Sequence, residues 1–259
     1  MIWTVRILAK VLAVANQKGG VGKTTTAVNL SACLGALGRR VLLVDFDPQG
    51  NATSGCGVDK AAQERTVYHA VIGERDVREA IQSTPYNLDL LPSNVDLAGA
   101  EVELATAEER EQRLRRALEP VRTDYDFIII DSPPSLGLLN LNALTAADGI
   151  LIPIQCEFYA LEGVSELMNT LDLVREGLNP GLEIAGVLLT MYDMRTRLSE
   201  QVAGEVRKFF GEKVYETMIP RTVRLSEAPS YGMPIIAYDI RSKAAMVYTE
   251  LAKEVDARG

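Results

Sequence analysis

Five short runs of branched and aliphatic residues punctuate the chain: "VLAVAN" (Val11 to Asn16), "RVLLVD" (Arg40 to Asp45), "FIIID" (Phe127 to Asp131), "GILIPI" (Gly149 to Ile154) and "IAGVLLT" (Ile184 to Thr190). Each is apolar on both sides of the backbone, the signature of strands covered by helices on each face. Longer stretches with apolar residues at helical spacing alternate with them: Thr24 to Leu37, stopped by Gly38; Asn94 to Leu118, rich in Glu, Ala and Arg; Leu161 to Leu178; Leu198 to Phe210; and Lys243 to Ala257. The alternation predicts an α/β fold with a mostly parallel, twisted sheet and helices on both faces. No linker or repeat interrupts it, so residues 1–259 are expected to form a single domain, with residues 1–9 as a short lead into the first strand.

Composition changes this picture little. A 47% hydrophobic and 24% charged chain is ordinary for a folded protein, and the net charge of −8 means that any nucleic-acid contact must use a local basic patch. Cys33, Cys56 and Cys156 are scattered and lack C-x-x-C spacing, as expected of reduced, buried thiols in a cytoplasmic protein. Arg6 and Lys10 interrupt the apolar start, and no run is long enough to span a bilayer. His69, the one histidine, has no cluster of metal-ligating neighbours in sequence and is expected on a helix without a catalytic role.

Chemistry enters at "NQKGGVGKTTTAVNL" (Asn16 to Leu30), which follows the first strand and opens the first helix. Gly19, Gly20 and Gly22 let the backbone turn its N–H groups toward phosphate oxygens, with Val21 between them, and the helix N-terminus adds positive potential. This is a P-loop NTPase arrangement, in which Lys23 reaches the β and γ phosphates of ATP, Thr24 holds Mg2+, and Thr25 reaches the α phosphate. At the end of the second run, Asp45 and Asp47 in "VDFDPQGNATSG" are separated by one residue and face the same way at the strand edge where ligands bind. Asp131, ending "IIID", stands where a magnesium-holding carboxylate is expected. Pro48 to Gly55 has turn chemistry and reads as a switch loop sensitive to the γ phosphate.

The spacing Lys18-Gly19-Gly20-Val21-Gly22-Lys23-Thr24 resembles the deviant Walker A motif of the ParA/MinD superfamily. The resemblance extends through "DSPPSLGLLNLNAL", "IPIQCEFYALEG", "GVLLTMYDMRTRLS" and "IPRTVRLSEAPSYGMPI", blocks similar to those of the chromosomal ParA proteins often called Soj, and runs from about Val11 to Val255. It implies an ATP-dependent homodimer in which Lys18 crosses to the partner's nucleotide, non-specific binding of double-stranded DNA, and slow ATP hydrolysis stimulated by a ParB (Spo0J-type) protein. It makes Asp47 the acid that activates water and Asp45 a support of the magnesium shell. Pro220 becomes an adenine neighbour, although Thr222 stands where relatives commonly carry Asn. Arg195, Arg221 and Arg224 become DNA contacts, with Arg197 close by, which implies a cytoplasmic, nucleoid-associated protein. Two other readings share the loop. A MinD-like ATPase that positions the division site on a membrane would need a basic, broadly apolar C-terminal helix, whereas "AAMVYTELAKEVDARG" carries Glu250, Glu254 and Asp256. An iron–sulfur reductase would need two cysteines per chain in blocks that none of the three matches.

Overall fold

The apolar runs take the central places in one sheet because only there are both faces covered. The computed structural model describes residues 8–135, 137–157 and 164–258. Its eight strands are β1 (Lys10–Val14), β2 (Val41–Asp45), β3 (Gln82–Ser83), β4 (Asp89–Leu91), β5 (Phe127–Asp131), β6 (Gly149–Gln155), β7 (Glu183–Tyr192) and β8 (Val214–Pro220). They lie in the order β3-β4-β2-β5-β1-β6-β7-β8, parallel except for the β3–β4 pair. Successive residues feed opposite cores: Val11 and Ala13 join one apolar cluster, Leu12 and Val14 the other. Most of the lead and the first three residues of the stretch expected as helix from Leu161 lie outside the described residues.

The helices are α1 (Lys23–Ala36), α2 (Asn51–Gly55), α3 (Val67–Ile72), α4 (Leu97–Glu103), α5 (Arg113–Leu118), α6 (Leu138–Ala146), α7 (Val164–Gly177), α8 (Arg197–Phe210), α9 (Arg224–Glu227), α10 (Ile235–Tyr238) and α11 (Lys243–Arg258). Apolar residues of α1 and α11 belong to the second cluster, those of α5, α6, α7 and α8 to the first. Gly38, with φ +86°, ends α1 as its position in the sequence predicts. His69 sits in α3, where its Nδ1 accepts from the Thr66 backbone N–H at 3.2 Å. All three cysteines are buried and free. Tyr248, Leu251 and Val255 bury the apolar side of α11 in the second cluster, so that side is already occupied by packing.

Three features depart from the sequence reading. The helix expected from Asn94 to Leu118 is broken: Ala107 is extended and Glu109 adopts φ +49°. Leu104 and Leu114, on either side of the break, are both buried. The break reorients the second half, and the Asn142 side chain secures it, accepting from Leu114 N at 3.1 Å and donating to Arg110 O at 2.8 Å. The second departure is in the switch segment, part of which folds as α2, entered through Gly50 at φ +60°. The third is the addition of strands. β3 and β4 are two and three residues long, and in β8 the polar Glu216 and Thr217 interrupt the apolar pattern. Their backbone N–H groups are taken up by the Glu254 carboxylate at 2.9 and 3.2 Å, which blunts this edge strand.

The end of α2 is wedged against the segment before α10. Gly232 has φ +64°, and a Cβ there would lie 2.7 Å from Gly57 Cα, while Tyr86 Oη donates to Gly232 O at 2.9 Å. Gly232→Ala would combine left-handed strain with a backbone collision that no rotamer relieves. It is expected to destabilise the fold by about 2–4 kcal/mol, read as a lower urea midpoint. An unchanged midpoint would mean that the two backbones do not touch.

Candidate nucleotide site

The register of the central strands assembles the site. Asp131 pairs with Val14 of β1 and with Asp45 of β2, so both carboxylates and the loop leaving β1 meet at the carboxyl edge of the sheet. Chain direction diverges there, since β1 leads to β2 on one side of it while β6, β7 and β8 extend on the other. That divergence opens the crevice in which α/β sheets hold ligands.

Between Ala15 and α1 the loop is set by its own polar groups. The Asn16 side chain donates to Pro153 O at 2.7 Å and accepts from Lys18 N at 3.0 Å. Thr190 Oγ1 donates to Val21 O at 2.8 Å, tying the loop to the end of β7. Gly20 and Gly22 have φ +74° and +91°, conformations that favour glycine, and Gly22 caps α1 without a side-chain bond to the helix N–H groups. Lys23 is buried, and its Nζ donates to Lys18 O at 3.2 Å. Burial pulls its pKa below the ordinary lysine value, while Asp131 and Asp47 act in the opposite direction. The Lys18 side chain is half-exposed and makes no hydrogen bond or ion pair among the described residues. The two lysines of the loop are therefore placed quite differently.

The three acids also differ. Asp45 is fully buried, and its Oδ2 accepts from both the backbone N–H and the hydroxyl of Thr53 at 2.7 Å, while its Oδ1 accepts from Asp47 N at 3.3 Å. Burial raises its pKa to about 6 against the opposing pull of those bonds. Asp131 is also fully buried, but neither of its oxygens has a hydrogen-bond partner among the described residues. Burial, then the nearby Asp45 carboxylate, push it well above the usual carboxylate range, with Thr24 and Lys23 opposing. The two orphaned oxygens of this buried carboxylate and the Thr24 hydroxyl are oxygen donors of the kind that suit a hard divalent cation such as Mg2+. Asp47 is the acid that reaches open space. Its Oδ1 accepts from Gln49 N at 2.9 Å, and the residue lines a cleft of about 370 Å³ together with Gly19, Gly20, Gly22, Lys23, Thr24, Thr25 and Pro134.

A second cleft of about 230 Å³ adjoins the first through Gly22, Thr25 and Met191, and Pro220, Thr222 and Arg221 line it. Met191, which borders both, holds φ +51°, a strained conformation for a residue with a side chain. The three arginines do not form one cluster in the isolated chain. Arg195 is 89% exposed and forks onto Asp193, holding that carboxyl down at about 2; Arg221 pairs with Glu157 at 2.8 Å; Arg224 pairs with Glu227 at 3.1 Å and Asp239 at 3.6 Å. Arg197 opens α8. Sequence reasoning passed over Thr53, Thr190 and Met191. Thr190 and Met191 carry a signal, since they end a strand at the ligand edge; Thr53 is one polar residue among many in a turn-rich segment.

The AAA domain family matches residues 9–184. Over 253 residues the chain is 60% identical to the sporulation initiation inhibitor protein Soj of Bacillus subtilis, spanning 97% of this chain and 100% of that one. Over 249 residues it is 53% identical to the chromosome partitioning protein ParA of Myxococcus xanthus, spanning 96% and 88%. Among solved structures it is similar to a cobyrinic acid a,c-diamide synthase from Mycobacterium smegmatis with bound ATP analog and magnesium, at TM-score 0.85 and 42% identity over 95% and 93% of the two chains. It is more distantly similar to the septum site-determining protein MinD of Pyrococcus horikoshii complexed with Mg-ADP, at TM-score 0.80 and 28% identity over 96% of each.

Proposed function

Because the chain belongs to the Soj/ParA family of chromosome-partitioning ATPases, we propose that it works as a nucleotide-timed DNA clamp. The observation that carries this is the sorting of charges around one cleft: Lys23, Thr24 and Asp47 border it, Asp131 lies buried behind it, and the Lys18 side chain stands apart without a partner among the described residues. In this reading Gly19, Gly20, Val21 and Gly22 cradle the phosphates with their N–H groups, Lys23 neutralises the β and γ phosphates, and Thr25 meets the α phosphate. Thr24 and Asp131 hold magnesium, which when bound offsets phosphate charge; Asp45, its oxygens already engaged, supports that shell from behind. Pro220 and Thr222 line the neighbouring cleft as the place for the base.

Two ATP-loaded copies close face to face, and each Lys18 enters the other's site. The homodimer then presents Arg195, Arg221 and Arg224 twice over to the phosphates of double-stranded DNA, which exchange for the carboxylates that hold these side chains in the isolated chain. Hydrolysis, stimulated by a ParB (Spo0J-type) protein, loosens the switch segment and frees both copies from DNA. The working place is the cytoplasm, on the nucleoid. Membrane positioning of the MinD kind is the weaker reading, because the apolar side of α11 is already buried and no helix among the described residues is long and apolar enough to cross a membrane.

Sedimentation and retention on a duplex of arbitrary sequence test this together. With ATP and magnesium the protein is expected to be a dimer held on DNA at low salt; with ADP it should be a monomer that washes through. The salt dependence should fall by about one logarithmic unit of slope per phosphate contact removed by Arg195→Ala. Retention of the ATP form on anionic vesicles, and not on duplex, would instead favour the membrane reading.

A further inference from the structure

Thr53 is buried in α2 with no exposed surface. Its hydroxyl is fixed on both sides. Ser93 N, which can only donate, gives its hydrogen to Thr53 Oγ1 at 2.9 Å. The single hydroxyl proton is thereby directed to Asp45 Oδ2 at 2.7 Å, where the Thr53 backbone N–H also arrives at 2.7 Å. With both donors on one oxygen, the Asp45 carboxylate has one orientation, and its other oxygen receives the Asp47 backbone N–H at 3.3 Å. The segment between them is braced as well: Gly50, at φ +60°, lies so close to Ser93 that a Cβ would come within 2.9 Å of its carbonyl oxygen.

We propose that Thr53 is a positioning residue for hydrolysis: its hydroxyl locks Asp45, and through Asp45 the backbone of Asp47, so that the Asp47 carboxylate is aimed into the phosphate cleft. The proposal rests on the reading of Asp47 as the water-activating acid and adds how that acid is held. A hydrogen-bonded clamp of this kind acts on geometry at the reacting centre, where small misplacement is costly, and leaves the phosphate cradle of the P-loop untouched. Its loss should lower turnover without weakening nucleotide binding.

The experiment compares Thr53→Val, which keeps the branched shape and removes the hydroxyl, with Thr53→Ala and Thr53→Ser, measuring phosphate release against ATP concentration beside wild type and Asp47→Ala. The valine and alanine variants are expected to lose at least about 10-fold in kcat with KM within about 3-fold, and serine to stay within about 3-fold of wild type in both. If the valine variant does not fold, the alanine variant gives the reading. The proposal is overturned if either hydroxyl-free variant turns over within 3-fold of wild type, if KM rises in step with the loss of kcat, or if serine loses as much as valine. A normal rate in Asp47→Ala would sink the underlying assignment; an inactive Asp47→Ala beside a normal Thr53→Val would sink this proposal alone.

Discussion

Asp47→Ala is expected to lose at least about 100-fold in ATP hydrolysis while still dimerising on ATP and remaining on DNA long after wild type has let go. The effect is large because the other two acids cannot substitute. Asp45 has both oxygens bound to its own chain, and Asp131 is buried behind Lys23 and Thr24. Asp47 borders the cleft, with Oδ1 taken by Gln49 N and Oδ2 free of hydrogen bonds among the described residues, a disposition suited to accepting a proton from water held there. A positioned base contributes roughly 10²- to 10⁴-fold, and alanine at this position leaves the loop glycines and Lys23, the proposed phosphate cradle, in place. Phosphate release, with sedimentation and duplex retention in ATP and in ADP, separates the two halves of the expectation. Hydrolysis at the ordinary rate would assign the water to another group; loss of the ATP-dependent dimer would mean that Asp47 supports closure rather than chemistry.

Legibility of the sequence followed burial. β1, β2 and β5 are readable because both faces of each are covered, so nearly every residue is apolar; the Asp45–Asp131 register then follows from two carboxylates ending such runs. The loop between β1 and α1 is readable because its glycine spacing, Lys23 and Thr24 match what phosphate would require of a backbone. The break at Ala107 to Glu109 was hidden, since every residue from Asn94 to Leu118 tolerates a helix and the decision is made by Asn142, a side chain of α6. β8 was hidden because an edge strand capped by Glu254 needs no continuous apolar run. Thr53 was hidden for a related reason: a clamp built on one hydroxyl leaves no periodicity, and only the placement of Asp45 and Ser93 on either side of it reveals the bond. The arginines were legible as charges, whereas their partners Asp193, Glu157, Glu227 and Asp239 belong to tertiary structure.

Lys18→Ala is expected to bind ATP within about 3-fold of wild type, yet to remain monomeric and to hydrolyse about 10²- to 10³-fold more slowly. The two lysines of the loop make this a sharp test. What Lys18 gives its own site passes through the backbone: its carbonyl accepts from Lys23 Nζ and its N–H donates to Asn16, and alanine keeps both. Its side chain does not border the cleft, so removing it costs the home site little. On the proposed reading the loss appears at the γ phosphate of a second copy, where a cation counts most as negative charge develops in the transition state. Mixing two inactive variants distinguishes this from any role inside one chain. In a mixed dimer of Lys18→Ala with Asp47→Ala, the site of the first chain keeps its Asp47 and receives Lys18 from the second, so one complete site is restored. Each mixed dimer carries one working site of its two, so the mixture should regain turnover that neither component shows, up to about half of the wild-type rate where every dimer is mixed. A lysine acting on its own nucleotide would leave that mixture as inactive as its components.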